Sequence, residues 1–67
     1  MVYYVNNTRQ EAPTARTLAE VLTELNVASQ RGMAVAVNEM VVPRPEWASY
    51  PLQTNDRLTI IRATQGG

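Results

Sequence analysis

Apolar and polar residues change period along this chain, and each change marks an element. Val2-Tyr3-Tyr4-Val5 is β-branched and aromatic, the composition of a strand. Asn6-Asn7 tolerates the left-handed conformations of a two-residue hairpin, so Thr8–Glu11 is expected to return antiparallel to the first strand. Pro13 breaks that ladder. From Thr17 the spacing becomes helical: Leu18, Val21, Leu22 and Leu25 share one face. Thr17 with Glu20 three residues on is a capping box. Asn26 offers a left-handed C-cap and Gly32 closes the connection, giving one helix of about 2–3 turns.

Alternation then resumes. Val35 and Val37 point one way, Ala34 and Ala36 the other. Asn38-Glu39 reads as a second tight turn, with a short return strand over 40–42. Pro43 and Pro45 stop that strand. An irregular crossing follows, with one helical turn around 46–48 and a turn at Asn55-Asp56. Arg57–Arg62 is the last strand, with Leu58 and Ile60 inward and Ile61 on the open side beside Ala34 and Ala36.

The order ββαββ, crossing, β places one helix against one mixed sheet, an α+β arrangement. A right-handed crossover through the helix, with the final strand parallel to the first, predicts a ubiquitin-like β-grasp of four to five strands. A ferredoxin-like plan needs a second helix. The expected organisation is one domain, 1–62, followed by a flexible diglycine tail, 63–67.

Composition narrows the chemistry. Sixty-seven residues make a single small domain, and 45 % hydrophobic content marks it as folded. There is no cysteine, so no disulfide, thiol nucleophile or thiolate metal site is available. Histidine and lysine are also absent; all six basic residues are arginine, and six carboxylates balance them. The usual general base near neutral pH is missing, and no basic field attracts nucleic acid or anionic lipid. The start has neither the cationic leader nor the apolar stretch of a signal peptide, and no segment could span a bilayer. A cytoplasmic protein that is not itself an enzyme is expected, holding no metal or cofactor of its own.

Several residues carry more than one reading. Trp47 and Tyr50 form either a ligand platform or, as the size of aromatic side chains favours, a cap on the core edge. Arg44 either pairs with an acidic partner or anchors the crossing. Asp56 stabilises its turn. Gly66-Gly67 adds nothing to a core and is costly to order, which suits either a frayed end or a working tail.

"AVAVNEMVVPRPEW" followed by "LQTNDRLTIIRATQGG" resembles the ThiS family, the sulfur carriers of thiamine thiazole synthesis. The matching features are the apolar strand ending in Asn38, Val42-Pro43-Arg44, Trp47, Asp56 and the final Gly66-Gly67. The resemblance implies that the Gly67 carboxylate is adenylated by a ThiF-like adenylyltransferase using ATP and Mg, then converted to a thiocarboxylate. The sulfur donor would be a cysteine desulfurase or rhodanese, and the acceptor a ThiG-like thiazole synthase. Thr64, Gln65 and Gly66 would thread a narrow channel, where glycine permits close approach of the walls. With no cysteine, the carried sulfur has only the carboxyl carbon to occupy. Docking is expected on the open sheet face, with Ile61 as apolar anchor, Ala34 and Ala36 allowing close approach, and Arg44 or Arg62 as rim charge. The alternatives are a MoaD-like molybdopterin synthase carrier, a ubiquitin-like modifier, and a non-covalent β-grasp interaction module.

Overall fold

Two type I′ turns organise the sheet, and three of their four central residues are asparagines, which tolerate positive φ. Asn6 and Asn7 (φ 48° and 70°) fold strand β1 (Val2–Val5) onto β2 (Thr8–Glu11), and Asn38 and Glu39 (φ 50° and 71°) fold β3 (Met33–Val37) onto β4 (Met40–Val41). The computed structural model describes residues 1–27 and 32–62. Helix α1 (Leu18–Glu24) follows the first hairpin, a 3₁₀ helix spans Arg44–Ser49, and β5 (Arg57–Arg62) is the last strand. The five strands lie in the order β2-β1-β5-β3-β4. β1 and β5 run parallel at the centre, and the other neighbours are antiparallel. This mixed five-stranded sheet with one α-helix is the expected β-grasp.

The helix begins and ends as its sequence dictates. Glu20 N–H donates to Thr17 Oγ1 at 3.2 Å, and Thr17 N–H donates to Glu20 Oε1 at 2.7 Å, which completes the capping box. At the other end Asn26 takes φ 62°; its N–H donates to Thr23 C=O, and Val27 N–H donates to Leu22 C=O. That pair of bonds is a Schellman motif, and the buried Val27 and Leu22 supply its apolar contact.

Leu18, Val21 and Leu22 are fully buried against Val35, Val37 and Leu58 of the sheet. Each such side chain contributes about 1.5–3 kcal/mol by leaving water. The crossing from β4 to β5 covers the rest of the same face. Trp47 is buried in that core and its indole N–H donates to Val42 C=O at 2.8 Å, so it is a core cap. The 3₁₀ helix is longer than the single turn expected around 46–48. It is stitched alongside α1 by bonds from Leu18 N–H to Tyr50 C=O and from Leu52 N–H to Arg16 C=O. The turn before β5 is also displaced by one residue. Thr54 and Asn55 form its centre, with Asn55 at φ 72°, and Asp56 closes it. The expected tail, 63–67, lies outside the described residues.

Candidate functional site

The helix and the crossing cover one face of the sheet, and the opposite face stays open. Residues paired directly across neighbouring strands project to the same side, so the register defines this surface. One row is Val41–Ala36–Thr59; the next is Ala34–Ile61. Val41 and Ile61 are 69 % and 54 % exposed, so this half of the face is an apolar strip across β4, β3 and β5. At its other end lie Arg57, Tyr4 and Arg9, likewise joined by register. Arg9 forms an exposed ion pair with Glu11 at 2.5 Å on the edge strand. The open face is thus apolar at one end and polar at the other.

Ile61 and Ala34 are exposed neighbours, as the alternation predicts. Ala36 is not an accessible docking residue: it is only 7 % exposed. It projects to the open side, but Thr59 and Val41 stand directly opposite it on either flank, and a methyl group is too short to rise between them. Ala36 therefore forms the floor of the strip.

The two arginines expected at the rim sit elsewhere. Arg62 follows Ile61 in an extended strand and so projects to the other face, where it lines a groove with Val5, Asn6, Leu25, Val27 and Ile60. Arg44 belongs to the 3₁₀ helix on the helical side, with its guanidinium 4.5 Å from the centroid of the Trp47 ring. That contact sets the guanidinium over the indole, on the side of the sheet away from the open face. The described cations on the Ile61 face are Arg57, four residues earlier in β5, and Arg9 on β2. Val41 and Arg57 were both legible. A two-residue hairpin at Asn38-Glu39 forces Val41 opposite Ala36, and parity along β5 puts Arg57 with Ile61.

The start of β5 is fixed by polar side chains. Asp56, 8 % exposed, accepts from Gln53 N–H at 2.8 Å and from Asn38 Nδ2 at 2.9 Å. Asn38 Oδ1 in turn accepts Arg57 N–H at 3.0 Å, and Asn38 N–H donates to Arg57 C=O at 2.8 Å. At the next turn Asn6 Oδ1 accepts Ile60 N–H at 2.9 Å. These bonds hold β5, the strand that leads to residues 63–67, in a single register. Away from this site, burial raises the Tyr3 phenol above its ordinary range, with Glu24 adding to the rise and Arg16 opposing it.

Gly67, Gly66, Gln65 and Thr64 lie outside the described residues. Among the described residues no group of three or more Asp or Glu side chains is arranged to hold a metal ion. No helix among them is long and apolar enough to cross a membrane.

Comparison with known proteins agrees with this geometry. The chain is 31 % identical over 62 residues to the sulfur carrier protein ThiS of Escherichia coli K12, covering 92 % of each chain. Its fold matches the crystal structure of a thiamine biosynthesis protein, ThiS, from Geobacter metallireducens. The TM-score is 0.83 at 22 % identity, with both chains covered in full. A solution structure of a thiamine biosynthesis protein from the same organism gives a TM-score of 0.79 at 22 % identity, covering all of this chain and 88 % of the other. The model of the ThiS family matches residues 2–67. Sheet order, length and sequence therefore converge, and the chain belongs to the ThiS family.

Proposed function

We propose that this chain is a sulfur carrier of thiamine biosynthesis, carrying sulfur on the carboxyl carbon of Gly67. Membership of the ThiS family is the observation that carries the reading. A carboxylate is a poor electrophile until one oxygen becomes part of a leaving group. Attack of the Gly67 carboxylate on ATP, at an adenylyltransferase with Mg, releases pyrophosphate and leaves an acyl adenylate. The outer sulfur of a desulfurase or rhodanese persulfide then displaces AMP to give an acyl disulfide. A thiol from outside this chain cleaves that S–S bond by exchange to release the thiocarboxylate, which is discharged at a thiazole synthase. The chain is the substrate of each step and binds neither ATP nor metal itself. Its lack of cysteine supports this assignment, because no side chain competes for the sulfur.

The folded surface supplies recognition. Ile61 and Val41 are exposed apolar groups on the strand that leads to Gly67 and on the nearby edge strand, with Ala34 between them. Such a patch suits a partner interface better than water. Extended chain from Ala63 to Gly67 spans roughly 16–18 Å, enough to reach a nucleotide set back from the docking surface.

Intact mass spectrometry tests the proposal. Incubation with the ThiF-type enzyme, ATP and a sulfur source is expected to exchange one oxygen of the chain for sulfur, with the change confined to a C-terminal fragment containing Gly67. An unchanged mass with an enzyme that adenylates its other carriers would refute the reading.

A further inference from the structure

β5 is longer than the strand beside it. β1 pairs with β5 at Tyr4↔Arg57 and Val5↔Leu58, after which Asn6 and Asn7 turn the chain away. The last backbone bond of this ladder runs from Asn6 N–H to Leu58 C=O at 2.9 Å. Ile60 N–H comes next, and the Asn6 side chain accepts it in place of a strand. Alternate residues of a strand present N–H and C=O to the same edge, so Ile60 C=O and Arg62 N–H follow on that side. Among the described residues no strand lies beside them. On its other side β5 stays paired with β3 as far as Met33↔Arg62. Among the described residues the result is a supported strand with an unpaired edge at Ile60 and Arg62.

A groove of ≈ 480 Å³ runs along that edge, lined by Val5, Asn6, Leu25, Val27, Ile60 and Arg62. Its walls are apolar apart from Asn6 and Arg62, and Val5, Leu25 and Ile60 pack half-buried against the core. The exposed Arg62 guanidinium has no ion-pair or hydrogen-bond partner among the described residues.

We propose that this edge receives an extended segment of the activating adenylyltransferase, which adds to β5 as a short strand at Ile60 and Arg62. The segment seats an apolar side chain in the groove and sets a carboxylate against Arg62. The inference rests on the carrier reading above. Unpaired strand groups are matched by another extended backbone, and alternate side chains of an added strand enter the flanking groove. The single cation among apolar walls selects a negative neighbour. Direction is the functional reason. The apolar strip on the open face can hold the domain, but apolar contact is non-directional. Five residues, Ala63 to Gly67, follow Arg62, and hydrogen bonds at Ile60 and Arg62 fix the line along which they leave the domain.

Backbone amide exchange in the full chain, alone and with the recombinant ThiF-type enzyme, tests this. The Arg62 amide is expected to exchange at least about tenfold more slowly in the complex, as an added strand bond requires. Arg62→Pro removes that donor without touching the β3 ladder. It is expected to weaken binding by about tenfold, and Arg62→Gln, which keeps the N–H, by only about threefold. A thermal melt verifies that the proline variant folds; if it does not, the wild-type exchange result still decides. If the wild-type chain is adenylated while its Arg62 amide is unprotected in the complex, the edge proposal is overturned and the carrier reading stands. If the chain is not adenylated at all, both fall. Concentration-dependent protection of Arg62 in the isolated chain would assign the edge to a second copy and overturn the proposal.

Discussion

Asn38 and Asp56 sit 18 residues apart and are joined by a hydrogen bond from Nδ2 to Oδ1 of 2.9 Å. The bond links the β3–β4 turn to the turn that launches β5, and Asp56 Oδ2 also accepts Gln53 N–H. Asp56→Ala leaves both donors without their acceptor in a largely buried setting. We expect a loss of about 2–3 kcal/mol in urea denaturation, the range for hydrogen bonds to a charged group. Asn38→Ala should cost at least as much, since it also loses the bond from Arg57 N–H and sets alanine at φ 50°. The double mutant should cost less than the sum, because one interaction is shared. Strict additivity would show that the two turns are independent.

The core predicts its own contrast along β5. Leu58 is 1 % exposed, whereas Ile61 is on the open face. Leu58→Ala, like Val21→Ala in the helix, is expected to destabilise by about 2–4 kcal/mol. Ile61→Ala should leave the denaturation midpoint nearly unchanged. Equal losses at positions 58 and 61 would mean that the open face is covered in solution.

Docking should be sensitive to the apolar strip and insensitive to the crossing. Ile61→Asp and Val41→Asp are each expected to weaken binding to the activating enzyme by at least about 2 kcal/mol, the size of a hot-spot loss, with the fold intact. Arg44→Gln should change affinity little, since its guanidinium lies over Trp47 on the helical side. Titration calorimetry would separate them, and a large effect at Arg44 alone would move the docking surface to the crossing.

On the proposed chemistry, an alanine added after Gly67 displaces the reacting carbon by roughly 3.5 Å and places a β-carbon where the channel admits none. ATP–pyrophosphate exchange on the activating enzyme is expected to be lost. Normal exchange with the extended chain would rule out a requirement for a terminal diglycine.

Tyr3 predicts an alkaline limit to stability. Its phenol titrates above 10.0 in the folded chain, chiefly because burial penalises the phenolate. The folded state therefore holds its proton longer than the unfolded state does. This contribution is fully present below the ordinary pKa and is lost as pH rises through the folded value. Tyr3→Phe should flatten the decline of urea midpoints above pH 10, and an identical decline in the variant would assign the effect to another group.

The sequence by itself determined the order of strands and helix, the two hairpin turns and the start of the helix. Paired residues with positive φ at 6–7 and 38–39 required two-residue turns, the Thr17–Glu20 box opened the helix, and β-strand alternation separated Val35 and Val37 from Ala34. It also carried the family resemblance that the comparisons bear out. These features are local, because turn geometry and side-chain parity depend on residues a few positions apart. Tertiary structure decided the rest. Ala36 is hidden by neighbours from two other strands, Arg44 turns to the Trp47 ring, and Arg62, set opposite Ile61 by parity alone, meets a groove shared with β1 and the end of α1. Asp56 stabilises its turn as its type predicts, but its reach to Asn38 joins turns 18 residues apart. Alternation gives the side on which a residue projects; only the neighbouring strands and helices determine whether that side is covered and which group it meets.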